Sequence, residues 1–404
     1  ELPLSIDDID RIEVVRGPNA ATFGANSFFA VINIVSKDAA QTSGLFLSQQ
    51  FGEQGMTGTT LRYGKVQNDL RYRVTFSSQS RDRFEKDDPR PALQEKLFEQ
   101  TQTYFINGRL DYRLSVRDEI SAQFGLSQGD WQAGRLSMPI EPRQQNAQAG
   151  YAQLKFRRAS GPDDEWLLHF YHSRNRLDAP AAQAFGPLTL IGDTDSLQTR
   201  TSLEFQSNDR LTPTLRSVWG AEIREETLNA PLYLNTHKTL RGLLSRAYAN
   251  LEWRAQPELL LQGGAMLEHH YYSGTDVSPR IAANYEFAPD HTLRLNLSQA
   301  YRTPTFFEQR GNLTYYSTSG IPALTLTIPA NDNLAPERVL SREIAYIGQY
   351  KPAHLQWEIK LFRDQIEDYI KVKGSPGRHN NVGNYRVQGA DAHVDWQPTP
   401  AMRL

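Results

Sequence analysis

Over most of its length the chain alternates apolar and polar residues with a period of two, and few folds accept that pattern so many times over. In Ile120-Ser121-Ala122-Gln123-Phe124-Gly125-Leu126-Ser127 one face is Ile, Ala, Phe and Leu, and the other is Ser, Gln, Gly and Ser. Leu197, Thr199, Thr201, Leu203 and Phe205 stand against Gln198, Arg200, Ser202, Glu204 and Gln206. Leu293, Leu295 and Leu297 alternate with Arg294, Asn296 and Ser298, and Leu355, Trp357, Ile359 and Leu361 with Gln356, Glu358 and Lys360. Successive side chains of a strand point to opposite faces, so each segment has one apolar wall and one wet wall, whereas a helix would scatter them. Roughly sixteen such segments can be counted, many of about 9–13 residues, the length a tilted strand needs to cross a bilayer. Globular strands run to about 5–6 residues.

The breaks between segments alternate in length. Arg113–Arg117, Ala159–Asp163, Asn208–Pro213, Ala255–Pro257, Ala288–Asp290 and Lys351–Ala353 are tight and turn-like. Between them lie long connections, Ser80–Gln100, Gly129–Asn146, Leu177–Ser196, Thr227–Leu240 and Arg302–Glu337. Short turns on one side and long loops on the other mark an outer-membrane β-barrel. The connections around Gly52 and Gly274 are short where the rule asks for long ones. A soluble sandwich or propeller is the competing fold, but no repeat of propeller period is present.

Composition agrees with a barrel without requiring one. Hydrophobic residues are 39% of the 404, yet Tyr and Phe number 18 each, and mean hydropathy is −0.57. A formal net charge of −2 offers no basic field for nucleic acid. The absence of cysteine removes disulfides, thiolate metal sites and cysteine nucleophiles. No run approaches 18 apolar residues, so no transmembrane helix is expected.

The first 40 residues differ from the rest. Ile9–Val15 reads as a short strand broken at Arg16-Gly17-Pro18, and Ala30–Val35 as a second, nearly all-apolar strand. Continuous apolar character predicts burial on both faces.

Ile9 to Lys37, IDRIEVVRGPNAATFGANSFFAVINIVSK, resembles the final segment of the plug domain of TonB-dependent outer-membrane receptors. Phe29-Ala30 stands where that family usually has two glycines, which implies a bulkier turn. Further matches follow in the family's order: Ser278-Pro279-Arg280, Ala300-Tyr301-Arg302-Thr303-Pro304, Asn331-Asp332-Asn333-Leu334-Ala335-Pro336-Glu337, and Asn381-Val382-Gly383 through Trp396-Gln397-Pro398-Thr399-Pro400. The resemblance implies an all-β protein: a plug tail over residues 1–40, then a transmembrane antiparallel barrel of the 22-stranded type over 41–404, with about sixteen strands present. The expectation is that about six strands follow Leu404 and that the first part of the plug, with its TonB-engaging segment, precedes Glu1.

It also implies a function. A receptor of this family, a monomer in the lipid of a Gram-negative outer membrane, takes up a scarce small molecule with energy relayed through TonB. A ferric siderophore is the first expectation, and cobalamin, haem, copper chelates or glycans the alternatives. No histidine lies between Tyr301 and Asn331, where haem receptors usually carry one. Enzyme, passive porin and soluble binding module are the other classes. No Ser/His/Asp spacing specifies an active site, a porin has no plug segment, and no cofactor or resident metal is expected. The adjacent pair His269-His270 points to opposite sides of a strand and does not share an ion.

Within that frame Arg16 is expected to cross from the plug to a carboxylate of the inner wall, Glu343 being the candidate, and Glu13 to pair with a barrel arginine. Gly17, Pro18 and Gly24 are turn formers. Ligand contacts are sought in the long loops, among Trp131, Tyr233, His237, Phe306, Tyr315, Tyr316, Arg378 and His379, since aromatics offer stacking area and arginine attracts anionic chelates.

Overall fold

The computed structural model describes residues 4–18, 27–53, 55–82, 100–135, 140–185, 188–312, 315–317, 322–324, 329–374, 377–399 and 401–402. A small antiparallel hairpin comes first, β1 (Ile9–Arg16) and β2 (Ala30–Ser36), with Ile12 opposite Ile34 and Val14 opposite Ile32. The wall then begins with β3 (Gly44–Phe51), β4 (Thr57–Gln67), β5 (Leu70–Arg81), β6 (Thr101–Arg113), β7 (Asp118–Arg135), β8 (Ile140–Ala159) and β9 (Glu165–Asp178). After the short β10 (Pro180–Phe185) and β11 (Leu188–Asp193) it continues with β12 (Ser196–Thr212), β13 (Leu215–Asn229), β14 (Leu240–Gln256), β15 (Leu259–His270), β16 (Gly274–Ala288) and β17 (His291–Arg302). Two three-residue strands, β18 (Tyr315–Ser317) and β19 (Pro322–Leu324), precede β20 (Glu337–Tyr350) and β21 (Leu355–Glu367). A hairpin, β22 (Ile370–Lys373) with β23 (Arg378–Asn381), leads to β24 (Tyr385–Trp396).

Among the described residues, twenty strands join one sheet. Sixteen of them run as a series of antiparallel pairs: β3 to β9, β9 on β12, β12 to β17, β17 on β20, then β21 and β24. The register puts the apolar residues side by side on one face. Leu61 lies opposite Phe76, Phe76 opposite Ile106, and Ile106 opposite Leu126. Leu154, Phe170, Leu203 and Ile223 form a second row, and Leu295, Ile344 and Leu361 a third. These side chains are 36–60% exposed, from Ile106 at 36% to Ile223 at 60%. A continuous apolar band of this extent is untenable in water and suits lipid. The buried set is the reverse, with Arg62, Arg73, Thr75, Asn107, Asp111, Glu222 and Glu268 inside.

Turn chemistry explains the tight connections. Asn68-Asp69 closes β4 on β5 with Asn68 at φ 54°, and Pro289-Asp290 closes β16 on β17 with Asp290 at φ 67°. Asn and Asp are the non-glycine residues that tolerate this left-handed conformation. The long side is more ordered than the sequence predicts. β7 and β8 extend to Arg135 and from Ile140, so most of the expected Gly129–Asn146 loop is paired strand. Leu177–Ser196 folds into the β10–β11 hairpin, and Arg302–Glu337 contains a helix, Phe306–Arg310. Residues 83–99 of the Ser80–Gln100 connection lie outside the described residues.

One expectation fails. The β1–β2 hairpin is not buried on both faces: Ile12, Val14 and Ile32 are 57%, 57% and 66% exposed. These three share one face with Ile34 across the register, and the hairpin meets the wall mainly through its ends and polar groups.

Candidate functional site

Among the described residues, the wall meets the β1–β2 hairpin and its flanks through polar contacts near both ends and one apolar contact. At the start of β1, a Ser5-capped turn over Ile6–Asp8 drives the Asp8 carboxylate into the wall, where it is fully buried. Arg62 of β4 donates to Asp8 Oδ1 at 2.7 Å, Thr75 of β5 donates to Oδ2 at 2.6 Å, and Arg73 Nε stands 4.0 Å from Oδ2. At the end of β2, Arg73 donates to the Lys37 carbonyl at 2.9 Å, and Arg109 of β6 donates to Ser36 and Lys37 oxygens at 3.3–3.4 Å. Arg109 also lies 3.7 Å from Asp38. The apolar contact is Phe28, which packs with Met266, Ala300, Val339 and Ile366. Its neighbour Phe29, at the position of the unusual Phe-Ala pair, makes an edge contact with Phe28 and stays 58% exposed.

Arg16 reaches the wall at Asp391 of β24, 3.6 Å away, with its side chain 71% exposed. Lys360 sits 3.5 Å from both Asp391 and Glu343. Glu343 accepts from Asn296 at 2.9 Å and borders the same cavity of about 660 Å³ as Arg16. Glu13 departs from expectation: it accepts from Arg11 at 2.7 Å and Asn33 at 2.8 Å, within its own hairpin. Its cross-strand partner is Asn33, so the pleat holds it over the hairpin and away from the wall arginines. Those hydrogen bonds, from Asn33 first and then Arg11, hold its carboxyl below the usual range.

Gly17 adopts φ +87°, and its N–H donates to Phe29 O at 2.8 Å. A Cβ there would stand 3.1 Å from Glu343 Oε1. Gly17→Ala is therefore expected to cost about 1–3 kcal/mol through backbone strain and the displaced carboxylate. Faster hydrogen exchange in residues 9–18 would report it, and unchanged exchange would show that the turn adapts freely. Pro18 is buried beside it, and Gly24 lies outside the described residues.

At the long-connection end a second cluster forms. Thr305 caps the helix Phe306–Arg310 in a reciprocal box with Glu308. Arg302 then grips Glu308 with two hydrogen bonds of 3.0 Å and Glu337 with two of 2.7 and 2.9 Å. Glu337 also accepts from Ile370 N at 2.7 Å, which ties in the β22–β23 hairpin. Asn331 donates to the His379 carbonyl, Arg378 donates to the Ala330 carbonyl and Asn331, and Asn381 bridges the Ala335 and Asp368 carbonyls. The Asn331–Glu337 segment is thus a latch between helix and hairpin. Burial pushes the Glu308 carboxyl up, but the hydrogen bonds from Arg302 and Thr305 win and hold it below the ordinary range. Burial depresses His379.

The candidate ligand residues separate here. Tyr233 and His379 flank Phe307 edge-on, at 5.8 Å each, so the three rings gather at one place. Phe306 is only 7% exposed and packs on Tyr271 and Tyr272 at 5.2 and 5.7 Å, which makes it a packing residue; Phe307 takes the facing position instead. Arg378 is engaged with the latch. His237 lies apart in the β13–β14 connection, its carbonyl accepting from Asn229 at 2.9 Å. Trp131 is on β7, bonded to Gln145 at 2.6 Å. Tyr315 and Tyr316 belong to β18, which pairs with β11, and their side chains lie outside the described residues. The T-x-x-E spacing at Thr305–Glu308 was a readable signal for the helix; nothing in the sequence marked Asp8 as the buried one among Asp7, Asp8 and Asp10.

Residues 40–403 match the family model described as TonB dependent receptor-like, beta-barrel. The chain belongs to the TonB-dependent receptor family. It is 23% identical to the ferric enterobactin receptor of Pseudomonas aeruginosa over 98% of this chain and 60% of that protein. It is 20% identical to the vitamin B12 transporter BtuB of Vibrio cholerae over 97% of this chain and 60% of that one. A crystal structure of a substituted form of the ferric enterobactin receptor PfeA of Pseudomonas aeruginosa superposes with a TM-score of 0.78 at 16% identity, over 97% of this chain and 65% of that chain. The chain therefore spans about three fifths of the length of these curated relatives. Homologues of this family are barrels of the Gram-negative outer membrane.

Proposed function

We propose that this chain forms the plug end and much of the barrel of an outer-membrane importer for a ferric siderophore, a monomer driven through TonB. The observation that carries the reading is the plug hairpin ionically tied to the inner face of a wall whose outer face is an apolar band. A passive porin needs its inner face free for water, whereas here Asp8, Phe28 and Lys37 occupy it. Transport by such a molecule requires these contacts to loosen, and ionic contacts across a plug are suited to loosening under force. No catalytic step enters this reading. The relatives that carry ferric siderophores favour an iron chelate, and the Tyr233–Phe307–His379 rings with nearby Arg378 suit a flat anionic one. The BtuB relatives make cobalamin the second reading.

Tryptophan fluorescence of the receptor in detergent tests both. Saturable quenching by a ferric catecholate at sub-micromolar concentration is expected. Quenching by cyanocobalamin alone would replace the iron reading with the second one.

A further inference from the structure

On the inner face, a cavity of about 480 Å³ lies between the end of β2 and the wall. Ser36 borders it on the hairpin side, and Arg109, Ser121, Gln153, Lys155 and Leu167 on the wall side. The register explains the space. Asp111, Ser121, Lys155 and His169 form one row across β6–β9, and the short Ser121 side chain stands between Asp111 and Lys155. The acids at the cavity are already held, Asp111 by Arg109 at 2.8 Å and Glu119 by Arg71 and Arg157 at 2.6 and 2.9 Å. Lys155 makes no hydrogen bond or ion pair among the described residues. An inward cation at membrane depth without a carboxylate partner is costly to keep, and such residues mark substrate and ion pathways.

Position along the strands sets the depth. β8 runs into the tight connection at Ser160–Asp164 and β9 leaves it, so Lys155 lies toward the short-turn end. In an outer-membrane barrel that end faces the periplasm. Toward the opposite end the same inward rows carry aromatic area. Tyr151 and Tyr171 stack with centroids 6.5 Å apart, and His169 bonds Gln153 at 3.1 Å. From Tyr151 to Arg157 the row descends about 20 Å at the rise of a strand. Arg109 is poised between hairpin and cavity. Its Nη1 is shared among Ser36 and Lys37 oxygens at 3.3–3.4 Å and its Nη2 stands 3.7 Å from Asp38, whereas its Nε holds Asp111 at 2.8 Å. A shift of β2 therefore frees both amines while Asp111 keeps the guanidinium beside the cavity.

We propose that this cavity is an exit-side holding site for an anionic iron chelate, completed when β2 moves. Lys155 supplies the standing charge. Arg109 adds a second charge once it leaves Ser36, Lys37 and Asp38, and Tyr151 and Tyr171 offer stacking area on the approach. The inference deepens the importer reading and rests on it. The Tyr233–Phe307–His379 cluster captures at the long-connection end, and the Lys155 cavity draws the chelate past the hairpin. A neutral or cationic ligand gains nothing from Lys155.

The test separates capture from passage in cells carrying the receptor. Binding of a radioiron-labelled ferric catecholate is measured in energy-depleted cells, and its uptake rate in energised ones. Lys155→Glu is expected to bind within twofold of wild type and to take up the chelate at least tenfold more slowly. Lys155→Gln should slow uptake about threefold. Lys155→Arg should stay within twofold of wild type, a rescue that a merely space-filling side chain would not show. Gln123→Glu sets a carboxylate directly across from Arg109 and leaves Lys155 intact. It is expected to slow uptake about threefold with unchanged binding. Heat-modifiable migration on gels checks that each variant is a folded barrel. Wild-type uptake by Lys155→Glu and Gln123→Glu would overturn the proposal, and so would equal losses in Lys155→Arg and Lys155→Glu. Absence of catecholate binding by the wild type would instead overturn the iron reading beneath it, a failure seen before any variant is compared.

Discussion

Asp8→Ala is expected to release the N-terminal end of the β1–β2 hairpin from the wall, at a cost of about 3–5 kcal/mol, the range for removing one partner of a buried ion pair. The size follows from what stays behind. Arg62 and Arg73 lie on neighbouring strands with side chains 11% and 1% exposed, and Asp8 is the acid that meets both. Thr75 loses its acceptor as well. Two guanidiniums would then share a desolvated place with no carboxylate between them. Asp8→Asn keeps the volume and one acceptor oxygen but not the charge, so it should fall closer to alanine than to wild type. In the double variant Asp8→Ala with Arg62→Ala, the combined cost should be less than the sum of the single costs, because one of the stranded cations has gone. Hydrogen exchange of residues 9–16 is the readout, with β12–β14 as the unaffected reference. Equal protection of β1 in wild type and Asp8→Ala would mean that the contacts of Arg73 and Arg109 with the Ser36–Lys37 end hold the hairpin unaided.

The wall was legible in the sequence because its determinant is local. Leu61, Phe76, Ile106 and Leu126 each announce their face through alternation within their own strand, and antiparallel pairing then aligns them. The tight turns were legible for the same reason, since Asn68 and Asp290 carry their conformation in their side chains. The contacts of the β1–β2 hairpin with the wall were not. Asp7, Asp8 and Asp10 are chemically alike in a row, and only a partner 54 positions along the chain, Arg62, decides which one is buried. Glu13 stays within its hairpin because register outranks charge: Asn33 stands directly across from it. The ordered part of the long connections is not legible because strand pairing continues past the apolar band, where polar stretches such as Gln144–Gln148 do not alternate in a way that marks a strand. Phe306 and Phe307 show the limit at single-residue scale. Both are adjacent aromatics in one helix, and only the packing of Tyr271 and Tyr272 decides which is buried.

Arg302→Ala is expected to abolish high-affinity ligand binding while leaving the barrel folded. Its guanidinium uses four of its five N–H donors, two toward Glu308 and two toward Glu337, so it joins the Phe306–Arg310 helix to the start of β20. Through Glu337 it also reaches Ile370 N and the hairpin that carries Arg378 and His379. Without it, Glu337 stays 4% exposed with no cation, and the capping box at Thr305 loses the partner that holds Glu308 in place. A buried carboxylate left this way costs about 3–5 kcal/mol. The Asn331–Glu337 latch and the helix are able to relieve that cost by opening, whereas the strands are not. Phe307 would then leave Tyr233 and His379. Arg302→Lys keeps the charge but cannot grip two carboxylates at once, so it should recover only part of the affinity. The expected result is a loss of at least a hundredfold in affinity for the ferric chelate, with faster exchange confined to residues 305–312, 331–337 and 370–381 and unaltered heat-modifiability. Faster exchange with affinity within twofold of wild type would remove the Tyr233–Phe307–His379 cluster from ligand recognition. Unchanged exchange and affinity together would show that the latch stands on its backbone hydrogen bonds, with Arg302 contributing nothing that they do not already supply.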